Sequence, residues 1–444
     1  MATTEQEVAA ASADAAEESE AVVAEMRADP GRIAADFELL SAIGGEPGGG
    51  VSRIPFSREE RDAHDLVAGW MRDLGLTVRT DSFGNTFGTL AGTDSTRPAI
   101  GFGSHLDSVP HGGRFDGAVG VLGALEVIRL FNETGVQTAH PLMVVAFASE
   151  EGARFGEPCL GSKAVAGVLQ EADLERLRDA NGTTLAQAMR ALSFDPYAMP
   201  QARWAPNTLA AFLELHIEQS RSLDEEDERI GLVDAIAGNT RIRIAIRGRQ
   251  DHSGGTPMSQ RQDALVAAAE VIVAAESIAN EPRRRATVAT VGRLHVFPNS
   301  ITTIPGEVEF YLDVRDVDSD RQRLTTQDIV TRAEETAARR GLRCDWEVVS
   351  DTSPVVLPRW LRDLTTAAAE LLDVPHRVTT SGAGHDAGIL SRGIPAAMLF
   401  VPSRDGLSHC PEEWTSMEDI AIGAQALAES IRDIDTFLTK EVAE

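Results

Sequence analysis

Hydrophobic residues in the first part of the chain alternate between helical and strand-like patterns. An amphipathic stretch from Glu59 to Leu74 predicts a helix, and the following LTVRTDSFGNTFGTL is rich in β-forming residues. The apolar run PAIGFGSHLD predicts a buried strand that ends at His105, and GVLGALEVIRLF predicts the next helix. PLMVVAFASEE predicts a second buried strand with Glu150 and Glu151 at its carboxyl end. Strand, helix and strand in this order indicate parallel pairing in an α/β sheet.

The pattern changes in the middle of the chain. AAFLELHIEQ is a third apolar run that carries His216, and the acidic stretch SLDEEDE at 222–228 predicts a solvated loop after it. Between about Asn239 and Val349 the predicted elements follow the order β-α-β-β-α-β, and TRIRIAIRG and EVEFYLDVR show the period-two alternation of strands. This order predicts a compact two-layer unit of the ferredoxin-like type.

The α/β pattern resumes after this unit with a helix, the strand IPAAMLFV, His409 and a final helix from Met417. We therefore predict a discontinuous larger domain, residues 29–237 and 350–444, built on a mixed, mostly parallel sheet flanked by helices. Residues 238–349 would form an inserted lid or dimerisation domain. Two domains also suit a chain of 444 residues, which exceeds the usual size of a single core.

Composition narrows the classes of partner. The net charge of −28 repels phosphate backbones and anionic lipid headgroups, so we expect neither nucleic acid nor a membrane as a partner. Only Lys163 and Lys440 are lysines, a bias typical of either a GC-rich genome or a high-salt cytoplasm. Residues 1–28 predict a flexible acidic tail without the basic start and apolar core of a secretory signal. With three cysteines that lack CxxC spacing, we expect a cytoplasmic protein.

Residues that commonly bind divalent metals lie at the predicted strand ends and at one helix start. In chain order they are His105, Asp116, Glu150, Glu151, His216 and His409. Taken singly, each has a structural interpretation: a core histidine, a helix cap at Asp116, or a solvated glutamate pair. Two adjacent carboxylates at the end of an apolar strand repel each other unless a cation lies among them. The set therefore predicts a pair of divalent cations that share one carboxylate, and Asp107 is spaced to accept the second ring N–H of His105.

Eight runs along the chain resemble, in order and spacing, the carbamoylase and allantoate amidohydrolase branch of the dinuclear M20 metallopeptidase family. They are GSHLDSVPHGGRFDGAVGV, ASEEGARFG, ELHIEQ, HSGGTPM, PNSITTIPGEVEF, DVR, SGAGHDA and GLSH. The resemblance covers nearly the whole chain from about Asp36, and HIEQ together with AGHDA separates this branch from the ordinary peptidases of the family. It implies a homodimer with two divalent metal ions per subunit, which could be Zn, Mn, Co or Ni.

The resemblance also implies a role for each residue of the metal site. The implied ligands are His105 and His216 for one ion, Glu151 and His409 for the other, and Asp116 as the bridge. Glu150 would be the general base that deprotonates a water molecule between the metals and then returns the proton to the leaving nitrogen.

Substrate-binding residues are implied in the same way. His252 would stabilise the developing oxyanion across a dimer interface, although an exposed loop histidine is the alternative. Asn299 and Arg315 would bind the substrate carboxylate, but an arginine on a strand can also simply pair with Asp313 or Asp316.

Further residues would line the pocket. The resemblance assigns Gln219 and Gly384 to the pocket, and His385 and Asp386 are either supports behind the ligands or a polar pair in a tight turn. The branch usually continues HIEQ with glycine and an apolar segment, whereas Ser220 and RSLDEED follow here. This departure affects the shape of the pocket more than the metal ligands.

The implied activity is hydrolysis of the ureido C–N bond of an N-carbamoyl-L-amino acid or a related ureido acid, with release of ammonia and carbon dioxide. Allantoate and ureidoglycolate are alternative substrates, and an N-acyl-amino acid or dipeptide hydrolase is an alternative activity on the same scaffold. A catalytically silent protein that binds acidic metabolites is a third hypothesis, which the intact Glu150 and its ligand set disfavour.

Overall fold

The structure, a computed structural model, describes residues 26–441. The predicted acidic tail, 1–28, lies outside the described residues apart from its last three positions. The chain divides into two compact units, and the second consists of 235–356 and 380–384. The sequence prediction places the segment 380–384 in the larger domain, whereas in the structure it belongs to the second unit. The backbone N–H of Ala237 donates to the carbonyl of Ser381 at 2.8 Å and holds this segment there.

Twelve α-helices are present among residues 26–441. In chain order they are α1 (Pro30–Ser41), α2 (Arg58–Asp73), α3 (Ala118–Thr134), α4 (Leu160–Val165), α5 (Glu171–Arg176), α6 (Leu185–Ala191), α7 (Ser222–Glu225), α8 (Ala264–Ala279), α9 (Ser319–Arg339), α10 (Arg359–Leu371), α11 (Asp386–Leu390) and α12 (Met417–Glu441).

Fifteen strands accompany them in the same part of the chain. They are β1 (Thr77–Thr80), β2 (Thr86–Leu90), β3 (Ala99–His105), β4 (Leu142–Phe147), β5 (Leu209–Ile217), β6 (Ile230–Ile236), β7 (Gly238–Arg247), β8 (Asp251–His252), β9 (Val288–Phe297), β10 (Thr303–Ile304), β11 (Glu307–Asp316), β12 (Arg343–Thr352), β13 (Val355–Val356), β14 (His376–Ser381) and β15 (Ala396–Val401).

The sheet of the first unit has the order β1-β2-β4-β3-β5-β15-β6, and β14 also pairs with β6. Its four central strands, β4, β3, β5 and β15, are mutually parallel, whereas β2 pairs antiparallel with both β1 and β4. Every residue of β3, β4 and β15 is buried, as expected for strands covered on both faces by helices. The predicted mixed sheet flanked by helices is confirmed.

The second unit contains a four-stranded antiparallel sheet of order β12-β7-β11-β9. Strand β11 alternates between buried and partly exposed residues along its whole length, which places one face of the sheet on an apolar core. Helices α8 and α9 contribute buried residues to this core, including Val271 and Ile329. The predicted order β-α-β-β-α-β is present as β7, α8, β9, β11, α9 and β12.

The acidic stretch after His216 differs from its prediction as a solvated loop. Residues Ser222–Glu225 form the short helix α7, and Leu223 within it is fully buried. The reason is the buried carboxylate of Glu218, which accepts the backbone N–H of Leu223 at 3.0 Å and the hydroxyl hydrogen of Ser222. Between residues 26 and 441, no helix is long and apolar enough to cross a membrane.

Candidate metal centre

The parallel strands bring the predicted metal-site residues to one edge of the sheet in the first unit. Strand β3 ends on His105, β5 carries His216 next to its last residue, and β4 ends three residues before Glu150. Because β3 pairs in parallel with both β4 and β5, their carboxyl ends lie at the same edge.

Asp116 lies two residues before the start of α3, but it does not cap this helix. The N-cap position is Gly117, and no side chain caps the helix there, so the helix-cap interpretation of Asp116 is wrong. Gly117 has a φ of +66°, and a Cβ atom at this position would lie 2.4 Å from Cε1 of His105. A glycine is therefore required for the His105 ring to pack against the start of α3.

The Asp116 carboxylate lies at the centre of the three histidines. Its Oδ1 is 3.5 Å from His105 Nε2 and 3.1 Å from His216 Nε2, whereas its Oδ2 is 3.4 Å from His409 Nε2. His409 Nε2 also lies 3.3 Å from Oε2 of Glu151. Two groups of potential ligands thus share Asp116, one on each of its oxygens.

The residues present suit two divalent cations. Nδ1 of His105 faces the carbonyl of Asp107 at 3.1 Å, and Nδ1 of His216 faces the carbonyl of Ile217 at 2.9 Å. Hydrogen bonds at Nδ1 leave the Nε2 lone pairs free for a metal ion. Oε1 of Glu151 is buried without a hydrogen-bond partner, a deficit that a cation would remove.

The charges of the site lead to the same conclusion. Burial raises the pKa of both Glu150 and Glu151 above the usual range. The negative charge of Asp116 raises the pKa of Glu151 further. Burial alone lowers the pKa of His105, but the hydrogen bonds to Asp107 and Asp116 outweigh it and raise the pKa well above its usual value. Without metal, the buried carboxylates therefore draw protons into the site, and divalent cations would balance the same charge.

Three further buried carboxylates hold the backbone around these ligands. Asp107 accepts the N–H groups of Glu150 at 2.8 Å and Glu151 at 3.0 Å, so its carboxylate fixes the glutamate pair. The Asp107 carboxylate lies 3.5 Å from Nδ1 of His105, farther than the Asp107 carbonyl at 3.1 Å, so the backbone carbonyl and not the predicted carboxylate is the hydrogen-bond partner of this nitrogen. Glu60 accepts the N–H of Ser149 at 2.8 Å, and Glu413 accepts the N–H of Asp116 at 3.0 Å.

Arg53 supplies a positive charge behind this row of carboxylates. Its side chain is fully buried and donates from Nε to the carbonyl of Leu106 at 2.6 Å. Burial lowers the pKa of Arg53 to about 10, against the opposing effect of Asp107, Glu413 and Glu60. A buried guanidinium among three carboxylates reduces the cost of keeping them ionised.

Glu150 belongs to neither group of ligands around Asp116. Its Oε2 lies 3.8 Å from His105 Nε2, beside the metal site, while Oε1 accepts a hydrogen bond from the thiol of Cys159. A buried carboxylate next to the metal ligands, with a raised pKa, has the placement and the proton affinity of a general base.

Gln219 contacts the proposed bridging ligand directly. Its Nε2 lies 2.6 Å from Oδ2 of Asp116, and the hydroxyl of Ser408 lies 2.8 Å from the same oxygen. Gln219 adopts a left-handed backbone with a φ of +57°, and its N–H donates to Ser403 Oγ at 3.0 Å. The loop after β5 therefore places this amide at the metal site.

His385 and Asp386 are buried, and they are the N-cap and the first residue of α11 rather than a polar pair in a tight turn. The His385 ring packs edge-on against that of His216, with centroids 4.7 Å apart, and Asp386 accepts from the hydroxyl of Ser162 at 2.5 Å. Glu214, which lies near both histidines, is already engaged by Ser104 Oγ at 2.6 Å and by the N–H of Ala387 at 2.8 Å. These contacts support the ligand-bearing strands.

The remaining predicted residues, His252, Asn299, Arg315 and Gly384, belong to the second unit. Nδ1 of His252 accepts the N–H groups of Gly254 at 3.1 Å and Gly255 at 3.0 Å, so in the neutral ring Nε2 carries the hydrogen. His252 is exposed and pairs in β8 with Thr303 of β10, and Asn299 lies exposed in the segment just before β10.

Arg315 pairs with Asp313, one of the two partners that the structural interpretation of this arginine predicts. Its Nε and Nη2 lie 3.3 and 3.2 Å from the oxygens of Asp313, and Nη1 donates to the carbonyl of Gly382 at 2.9 Å. The guanidinium is thereby fixed beside the segment that ends at Gly384, but it stays partly exposed.

Sequence reasoning missed Glu413, Ser408, Glu60, Arg53 and Cys159. Glu413 stands in CPEEW directly after His409, yet nothing in the sequence distinguishes it from the exposed Glu412 beside it. Arg53 and Glu60 lie on segments without a strand-end pattern, and only the folded chain brings them to Asp107.

Comparison with known proteins agrees with this geometry. The chain matches the profile of peptidase family M20/M25/M40 over residues 101–433. It is 44% identical over 392 residues, 88% of this chain and 95% of the other, to an N-carbamoyl-L-amino acid amidohydrolase of Geobacillus stearothermophilus. Allantoate amidohydrolase of Bacillus subtilis is 35% identical over 397 residues, covering 88% and 95% of the two chains.

A solved structure is similar over most of its length. The hydantoinase/carbamoylase family amidase of Burkholderia multivorans superposes with a TM-score of 0.82 at 35% identity, covering 91% of this chain and 98% of that one. Fold, sequence profile and relatives agree, and the chain belongs to peptidase family M20/M25/M40.

Proposed function

We propose that this protein is a metal-dependent amidohydrolase that cleaves the ureido C–N bond of an N-carbamoyl-L-amino acid or a related ureido acid. The observation that carries the proposal is the position of Glu150, a buried carboxylate 3.8 Å from His105 that stands outside the ligand groups around Asp116. The names of the relatives from Geobacillus stearothermophilus and Bacillus subtilis support the ureido substrate class.

His105, His216, Asp116, Glu151 and His409 would hold two divalent cations. Bound there, these cations would polarise the ureido carbonyl and increase the acidity of water. Glu150 accepts a proton from the attacking water and delivers it to the nitrogen that leaves. One water adds to the carbonyl carbon, one C–N bond breaks, and the carbamic acid formed decomposes, so that the products are ammonia, carbon dioxide and the free amino acid.

Substrate recognition rests on residues of the second unit. Arg315 presents a guanidinium fixed by Asp313, which suits the carboxylate that all ureido acids of this class carry. Because Nδ1 of His252 accepts two backbone hydrogen bonds, its Nε2–H is a donor for the developing oxyanion. Asn299 and Gly384 complete the proposed contacts, together with Gln219 of the first unit.

Allantoate is a second candidate substrate, which the Bacillus subtilis relative favours equally. It also combines a ureido group with a carboxylate, so the polar residues described above suit both molecules. Selection between them depends on the side-chain pocket.

We also propose a homodimer formed through the second unit. The outer faces of α8 and α9 border a groove of about 800 Å³ lined by Val266 and Val273, and both valines are exposed. Edge strand β9 exposes Leu294 and Phe297. Apolar surface of this kind commonly marks an interface, and light scattering at micromolar concentration would show twice the mass of 47.5 kDa.

The experiment that tests the activity is ammonia release by protein loaded with Mn²⁺ or Zn²⁺. The panel contains N-carbamoyl-L-amino acids, N-carbamoyl-β-alanine, allantoate, ureidoglycolate and, as controls, N-acetyl amino acids. Ammonia from a ureido substrate supports the proposal. Release of acetate from the controls, without ammonia from the ureido acids, would show an acylase instead. If the metal-loaded protein hydrolyses no compound of the panel, a binding protein is indicated.

A further inference from the structure

Cys159 and the first two residues of α4 pair with the segment that carries Glu150. The N–H of Cys159 donates to the carbonyl of Glu150 at 2.6 Å, that of Leu160 to Ser149 at 2.9 Å, and that of Gly161 to Ala148 at 3.0 Å. Residues 159–161 therefore run antiparallel to 148–150 and fix the backbone of both segments.

Close packing holds this pairing in place. Asn85 accepts the N–H of Ala148 at 3.0 Å and donates to the carbonyl of Gly161 at 3.2 Å. A Cβ atom at Gly161 would lie 2.3 Å from Oδ1 of Asn85, so no larger residue fits there. The start of α4 is thus a rigid support beside Glu150.

The thiol of Cys159 is directed at the Glu150 carboxylate from this support. Its Sγ lies 2.9 Å from Oε1, and both residues are buried, with exposed fractions of 3% and 6%. Burial raises the pKa of the Cys159 thiol well above its usual range, so the sulfur keeps its hydrogen and donates. The other oxygen of Glu150, Oε2, faces His105.

We propose that Cys159 is a positioning residue, whose S–H group holds Oε1 of Glu150 so that Oε2 stays turned toward the metal-binding histidine. Glu150 needs such a restraint because its side chain has several rotatable bonds, and because the neighbouring charges of Asp386 and Glu151 repel it. The inference rests on the proposed function only where activity is the measurement, since the contact itself can be observed without substrate.

The kinetic test compares three variants at one position. Cys159→Ser keeps a donor, Cys159→Ala removes it, and Cys159→Val removes it while filling more of the space. We expect Cys159→Ala and Cys159→Val to lose about 10- to 100-fold in kcat with KM and bound metal unchanged, because the base is misplaced while the ligands are intact. Cys159→Ser should stay within a few fold of the natural protein.

Cys344→Ala is the matched control, because it removes a thiol from β12 in the second unit and should leave kcat unchanged. Equal kcat for the serine and valine variants would overturn the proposal. So would loss of folding or of bound metal in all three variants, which would make Cys159 a structural residue. If only the alanine variant fails to fold, the comparison of serine with valine decides.

An infrared measurement separates this inference from the proposed function. The S–H stretching band that disappears in Cys159→Ala is assigned to Cys159. A hydrogen bond to a carboxylate shifts this band away from the position of a free thiol. The spectra are recorded on metal-loaded protein, and in Glu150→Gln, with a neutral acceptor, the band should move back toward the free position. An unshifted band in the natural protein would overturn the contact, whereas a shifted band in a protein inactive on all ureido acids would reject the activity alone.

Discussion

Glu413 holds Asp116 through the backbone: its Oε1 accepts the N–H of Asp116 at 3.0 Å. The same oxygen accepts the N–H of Phe115 at 2.9 Å, and the hydroxyl of Ser408 lies 2.8 Å from a carboxylate oxygen of both Glu413 and Asp116. A residue four positions after His409 therefore fixes the loop before α3 and joins the two segments that carry the proposed bridge and a proposed ligand.

Replacing Glu413 by alanine should weaken metal binding without removing a ligand. We expect a loss of about 10- to 100-fold in metal affinity, since residues that orient ligands typically contribute that much. Competition with a chromophoric chelator measures this. The matched control is Glu412→Ala, because Glu412 is exposed and adjacent, and its replacement should change nothing. Equal affinities of the two variants would contradict this role of Glu413.

Glu150→Gln should abolish turnover and leave the metal content unchanged. The amide has nearly the shape of the carboxylate but cannot take up the proton, and general base catalysis typically contributes about 10²- to 10⁴-fold. Glu151→Gln serves as the comparison, because it alters a proposed ligand that lies 3.3 Å from His409 and should lower the metal content itself. Metal analysis and ammonia release are measured on the same samples, and substantial activity in Glu150→Gln would rule out this residue as the base.

Metal binding should release protons and weaken as the pH falls. Hydrogen bonds to Asp116 and Glu151 raise the pKa of His409 to about 11 in the metal-free protein, so this ring is protonated at neutral pH. Binding requires the neutral ring, and each proton that must leave makes the apparent affinity increase with pH up to the raised pKa. Calorimetry in buffers of different ionisation enthalpy should give at least one proton released at pH 7, and a value of zero would contradict the prediction.

Asp313→Asn should impair substrate binding more than catalysis. Asp313 orients Arg315 and also accepts from Arg241 Nε at 3.0 Å, so an uncharged residue there loosens the guanidinium proposed to bind the substrate carboxylate. We expect KM to rise by about threefold to tenfold with kcat nearly unchanged, in line with the roughly 0.5–1.5 kcal/mol that a typical hydrogen bond contributes. Asp345→Asn is the control, since Asp345 is an exposed ion-pair partner of Arg247 on the same sheet. A substrate amide lacking the carboxylate should not distinguish Asp313→Asn from the natural protein.

The sequence predicts the sheet and the metal-ligand candidates because both depend on local patterns. Strands β3 and β4 are continuous apolar runs, and residues at or just after their ends can be read directly as His105 and Glu150. Parallel pairing then requires that these ends share an edge, so the clustering of the candidates follows from elementary topology.

The contacts around the ligands depend on segments that only folding brings together. Glu60 reaches Ser149 across 89 positions and Glu413 reaches Asp116 across 297, and neither separation leaves a periodic signal. The short helix α7 was missed for a related reason, because Glu218 stabilises it from the end of β5 while half of its own residues are acidic. Long-range polar contacts of this kind cannot be read from hydrophobic periodicity.

Salt should stabilise this protein, because repulsion among its acidic groups outweighs the attraction within its ion pairs. The chain has 69 acidic and 41 basic residues, which leaves 28 acidic charges without a cation. Exposed ion pairs such as Arg247 with Asp345 contribute about 0–1 kcal/mol each, so their loss to screening costs little. The Debye length shrinks from about 10 Å at 0.1 M salt to about 3 Å at 1 M, which removes most of the repulsion.

We therefore expect the melting temperature to rise by several degrees and ammonia release to persist or increase in molar KCl, with sucrose as a control for solvent effects unrelated to charge. Loss of activity above physiological salt, or an equal rise in sucrose, would show that the acidic composition serves another purpose.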